Sequence, residues 1–325
     1  MKNYYNIEKN HKIYIRNSKL KFKKMSSMSE YAEILHENIN TKKNEDSILD
    51  IITKNNLKNR LLIARFYKAN YGISLFDEIN SKIGGDFGYC VAQMFFSPLE
   101  FCIHHLIRGL DKSNECVIEQ LTSKTDEELK IIEDAYNKKT GKDLKNEIKK
   151  IFKGAVCKNL LNLWDIKRKY NIKHDKKECE NLANILAKHT PKDWVENENI
   201  FKDIFIKRSP EELILIARYY LKETGFNLLD EIEGKTDGNT KILLREIFYN
   251  NLMPQELFSE KIYLSIKGMG TDEEKLSRVL VSRSDLDMDE IKNIYKNKYN
   301  TDLKEDIIND TSGIYQKLCL YLIGK

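Results

Sequence analysis

At 325 residues, with 32% charged side chains and four prolines, the chain can bury a large core and suits long solvated helices better than a loop-rich β fold. No stretch approaches the roughly 20 apolar residues of a membrane-spanning helix, and the lysine-rich N-terminus lacks the apolar core of a secretory signal. Any membrane contact is therefore expected to be peripheral, and the location cytoplasmic. The net charge of +5 is uneven, because residues 1–28 carry +7 and the remainder about −2. A basic arm on a near-neutral body suits an anionic partner, and it equally suits a solvated tail.

Beyond the arm, one pattern recurs four times: a tyrosine, a turn residue five positions on, then a leucine and an acid-isoleucine pair. It reads YKANYGISLFDEI from Tyr67, YNKKTGKDLKNEI from Tyr136, YLKETGFNLLDEI from Tyr220 and YKNKYNTDLKEDI from Tyr295. Leu62-Ile63-Ala64-Arg65 recurs in phase as Leu215-Ile216-Ala217-Arg218, and a glycine (Gly85, Gly154, Gly238, Gly313) follows six residues after each isoleucine. Four copies of one unit of about 70 residues are implied.

Each unit reads as helix. In the third, Leu213, Ile216, Ala217, Tyr220 and Leu221 form one apolar stripe at a period of about 3.6 residues. Capping boxes are expected at Thr125–Glu128 and Ser209–Glu212, with Asp287 to Glu290 in the equivalent place of the fourth unit. Gly72, Gly141, Gly225 and Asn300 stand where left-handed C-caps belong. The six cysteines, scattered and without a C-x-x-C pair, read as reduced core thiols.

Residues 266–274, IKGMGTDEE, separate two apolar segments of the fourth unit. Glycines spaced by one residue permit φ > 0, so that successive carbonyls converge, and Thr271 with Glu274 reads as a capping box for the next helix. Alone, such a turn is ordinary architecture. Together with Asp310-Thr311-Ser312-Gly313 and the VSRS segment from Val281, it resembles the annexin family over roughly residues 29–325.

The resemblance implies an all-α fold of four annexin-type repeats of about five helices each, packed as a curved superhelical disc. The units fall at 29–97, 98–170, 171–252 and 253–325, after a basic tail at 1–28. It also implies Ca²⁺ held by the carbonyls of Ile266, Gly268 and Gly270 and by the Asp310 side chain, for binding to an anionic phospholipid surface. One carboxylate leaves the ion with positive charge and open positions, which a lipid phosphate completes, at the weak end of calcium affinities. Lys267 is expected at the headgroups and Met269 at the acyl boundary. Trp194, in the third unit's turn, is read either as an interfacial residue or as a buried one.

The first three units depart from this pattern. At the position of Asp310 stand Lys82, Ile151 and Lys235, and the glycine turn becomes INTKKNED, RGLDKSNE and DWVENENI. One working metal site is expected. Lys82 and Lys235 are either drifted surface lysines or ammonium groups that meet lipid without metal.

Other patterns lead nowhere. Asp285, Asp287 and Asp289 mimic an EF-hand loop but lack its glycine and final glutamate. Cys102, His104 and His105 have no second zinc-ligand cluster. No catalytic set is visible and no nucleic-acid partner is expected. The alternative is an annexin-like scaffold that binds cytoskeletal or other proteins, its calcium site vestigial.

Overall fold

The computed structural model describes residues 18–41, 45–167, 175–268 and 270–324, with side chains from Ser27 onward. Met269 lies outside the described residues. Within them every regular element is helical, and the chain divides into two compact units.

The first unit comprises residues up to Phe101 together with Phe258–Lys325. Its N-terminal part holds α1 (Ser18–Thr41), α2 (Glu45–Lys54), α3 (Leu57–Tyr71), α4 (Leu75–Lys82) and α5 (Gly85–Gln93). Helix α1 begins at Ser18, inside the segment read as a tail. The second unit, Cys102–Leu257, follows α6 (Pro98–Lys112) through α7 (Asn114–Thr122), α8 (Asp126–Thr140), α9 (Leu144–Ile151) and α10 (Gly154–Asn162). It continues with α11 (Lys176–Ala187), α12 (Pro191–Glu196), α13 (Glu198–Ile200), a π-helical stretch at Phe201–Ile206, α14 (Pro210–Thr224), α15 (Leu228–Lys235) and α16 (Gly238–Leu252). The chain re-enters the first unit through α17 (Pro254–Ile266), then α18 (Glu273–Arg283), α19 (Met288–Tyr299), α20 (Leu303–Asp310) and α21 (Gly313–Leu322).

The recurring pattern has a physical cause. Each repeat tyrosine is buried, and its hydroxyl needs a polar partner. The acid eleven residues on supplies it in three repeats: Tyr67 donates to Glu78, Tyr220 pairs with Glu231, and Tyr295 donates to Asp306 Oδ2 at 2.7 Å. The turn residue between them takes a positive φ, from 55° at Asn300 to 75° at Gly225, which ends the tyrosine helix and reverses the chain. The following helices, α4, α9, α15 and α20, have eight residues each.

The capping boxes at Thr125–Glu128 and Ser209–Glu212 are both formed, the latter with Pro210 in the first turn. At α19 the expected box is absent. Asp287 occupies the cap position but makes no side-chain cap, because Arg283 Nε donates to its Oδ1 at 2.8 Å.

In the first unit one apolar cluster joins residues of both sequence segments, including Leu35, Ile63, Tyr67 and Ile79 with Ile262, Leu276, Ile291 and Tyr295. Full burial of each such side chain contributes about 1.5–3 kcal/mol. Buried Arg60 reinforces the junction: it donates to the carbonyls of Met94 and Asn55 at 3.0 and 2.7 Å and to Asp285 Oδ2 at 3.1 Å. In the second unit, buried Asn159 donates to the Val195 carbonyl at 2.7 Å, and Phe205 packs edge-on against Phe248. All six cysteines are free thiols and only Cys157 escapes full burial. Burial pushes the Cys90 thiol up to about 12.

Candidate functional site

The fourth repeat keeps an open turn between α17 and α18. Gly268 and Gly270 adopt φ of 129° and 95°, a region that strains any L side chain. A Cβ at either glycine meets nothing within 4 Å, so backbone conformation rather than space demands glycine. The Asp272 amide donates to the Ser265 carbonyl at 2.7 Å and closes the turn. Among the described residues no backbone N–H donates across this turn to the carbonyls of Ile266, Gly268 or Gly270. They include the kind of carbonyl that a helix end leaves unpaired.

Thr271 does not cap the next helix as its spacing to Glu274 suggests. Asp272 is the cap, accepting from the Lys275 amide at 2.9 Å. The Thr271 hydroxyl turns the other way, to within 2.6 Å of Asp310 Oδ2 and 3.0 Å of the Asp310 carbonyl. This contact brings an acid 39 residues downstream onto the turn. Asp310 is the last residue of α20 and is only partly buried. Its Oδ1 accepts no hydrogen bond among the described residues.

Carbonyl oxygens without a backbone donor among the described residues, beside one tethered carboxylate, are hard-oxygen donors of the kind Ca²⁺ takes, so the residues present fit that ion. No group of three or more His, Cys, Asp or Glu side chains converges among the described residues, so carbonyls dominate the candidate set. Beside the turn, exposed Lys267 holds its ammonium 5.3 Å from the centre of the Tyr263 ring, which stacks on Tyr299 at 3.7 Å.

The second and third repeats close this space in different ways. In the second, Ser113 alone separates α6 from α7, and its hydroxyl accepts from the Cys116 amide, so no loop exists to gather carbonyls. In the third, Thr190 and Asp193 form a capping box with Pro191 in the first turn. A helix therefore starts where the turn would lie, and it carries Trp194 inward. Trp194 is fully buried against Phe205 and Tyr220, its indole N–H 3.1 Å from the carbonyls of both Leu186 and His189. The interfacial reading of Trp194 is corrected accordingly: the ring is core, and it sits at carbonyls near the end of α11. In the first repeat, residues 42–44 lie outside the described ones, but Lys82 donates to Asn40 Oδ1 and, at 2.7 Å, to Glu78 Oε1.

Four helical repeats in one chain, with one glycine turn laid against a distant carboxylate, define an all-α repeat protein. A sequence model of the annexin family matches residues 30–93, 101–163, 181–247 and 258–322, and the chain belongs to that family. It is 30% identical to human annexin A3 over 283 residues, covering 86% of this chain and 88% of the relative. Its fold is similar to that of chicken annexin V (TM-score 0.81, 28% identity, 92% of this chain and 96% of the other). It is also similar to calcium-bound annexin (Sm)1 (TM-score 0.74, 25% identity, 92% and 90%). Annexins as a family bind phospholipid in a calcium-dependent way and are in general not enzymes. No described helix is long and apolar enough to cross a membrane.

Proposed function

We propose that this annexin attaches peripherally to anionic phospholipid surfaces through one calcium site, in the fourth repeat. The carbonyls of Ile266, Gly268 and Gly270 and the carboxylate of Asp310 hold the ion, and Lys267 meets the headgroups. Bound calcium supplies positive charge and open coordination positions to a lipid phosphate. The protein's part is to hold the turn open, orient Asp310 through Thr271 and keep a cation beside the ligand. The observation that carries the reading is the Thr271–Asp310 contact at 2.6 Å, matched by a turn that is absent in the second repeat and helical in the third.

Co-sedimentation with phosphatidylserine vesicles across calcium concentrations tests it. Wild type is expected to pellet only as calcium rises, and Asp310→Ala to lose that dependence. Equal pelleting of the two proteins at every calcium level sinks the reading.

A further inference from the structure

Lys82 and Asp310 occupy the same place: each is the last residue of an eight-residue helix, fifteen residues after its repeat tyrosine. Each also reaches back to the turn region of its own repeat. Asp310 accepts from Thr271, whereas Lys82 donates to Asn40, next to the last residue of α1. Asn40 belongs to the helix before the turn and Thr271 to the residues after it, so both contacts lie at this end of the repeat, and the charge is opposite. A carboxylate at this position needs a metal before it can meet a phosphate; an ammonium does not.

The surroundings of Lys82 direct its charge outward. Glu78 is 3% exposed, and its carboxylate also accepts from buried Tyr67, while the Lys82 side chain is 40% exposed. The negative end of the pair is therefore shielded and the positive end faces water. Asn40 and Glu78 both accept from the ammonium, which orients a group whose side chain is still part-exposed. From this geometry we infer that Lys82 is a resident cation in the first repeat that contacts the phosphate of an anionic lipid surface without calcium.

Lys235 provides an internal contrast. It holds the same place in the third repeat, but among the described residues it bonds to Glu231 alone, at 2.5 Å, and leans toward Phe226, 5.9 Å from the ring centre. Among the described residues no contact ties it to the turn region, so it is expected to contribute little. The inference takes from the fourth-repeat reading only the assumption that this end of a repeat is the one that meets lipid.

The test is binding to phosphatidylserine vesicles in chelator at low salt, with inorganic phosphate as a separate ligand followed by thermal shift. Lys82→Met is expected to weaken chelator binding about fivefold, ~1 kcal/mol for one lysine near an anionic surface. Lys82→Arg is expected to retain it, and Lys235→Met to match wild type. Circular dichroism melting confirms that each variant is folded. Unchanged binding in Lys82→Met overturns the inference. So does an equal loss in Lys235→Met, which would mean unspecific surface charge, or a Lys82-dependent response to inorganic phosphate without one to vesicles. Asp310→Ala separates the two readings: it removes the calcium-dependent component and leaves the Lys82-dependent one in place.

Discussion

The hydroxyl of Thr271 lies 2.6 Å from Asp310 Oδ2, joining residues 39 apart in sequence. The proposed calcium site rests on this bond, which brings the acid to the turn. Thr271→Val keeps the shape and removes the bond. A hydrogen bond to a partly exposed carboxylate is worth about 1 kcal/mol, so calcium affinity measured with vesicles is expected to fall about fivefold while the fold is retained.

Gly270 is held at φ of 95°. Gly270→Ala has room for its methyl but forces a strained backbone, at a cost of about 1–3 kcal/mol, or relaxes the turn. Either outcome raises the calcium concentration needed for half-maximal pelleting. A variant that pellets at the wild-type calcium level refutes a conformational role for this glycine.

Trp194 is buried, with its N–H bonded to backbone carbonyls. In a Trp164→Phe background its emission is expected not to shift when vesicles and calcium are added. A shift restores the interfacial role. Trp194→Ala is expected to destabilise the chain by about 3–5 kcal/mol in chemical denaturation, the range for emptying a packed aromatic site.

The Tyr67–Glu78–Lys82 chain carries a pH signature. Burial alone raises the Glu78 pKa, but hydrogen bonds from Lys82 and Tyr67 outweigh it and hold the folded carboxyl below its ordinary 4.5. A group whose folded pKa is depressed contributes stability above its unfolded value and loses it as pH falls through the folded one. Denaturation midpoints are therefore expected to drop below pH 4.5, and to drop less steeply in Lys82→Met. Parallel pH profiles for the two proteins refute the coupling.

Much of the architecture was legible in the chain itself. The tyrosine-to-acid spacing, the glycine or asparagine stops and two capping boxes are local signals, set by burial of a hydroxyl and by backbone dihedrals within a dozen residues. That Asp310 belongs beside this turn came only from the resemblance, and the Thr271 contact places it there. Thr271 was misread because a threonine three residues before a glutamate satisfies the pattern of a cap, and nothing local reveals an acid 39 residues away. Asp287 differs for a similar reason: the capping position is a local signal, whereas the pull of the Arg283 guanidinium on its carboxylate depends on side-chain placement.

The sequence by itself determined the fourfold helical repeat and where its turns fall, because helix periodicity and capping are short-range. Only the tertiary structure decided what each turn became. In the second repeat a single serine joins two helices, and in the third a capping box starts a helix that drives Trp194 into the core. In the fourth, Thr271 gives its hydroxyl to Asp310 and leaves the capping of the next helix to Asp272. The choice between a cap and a cross-link rests on which acceptor the packed helices bring within hydrogen-bond reach, and that distance is a property of the fold.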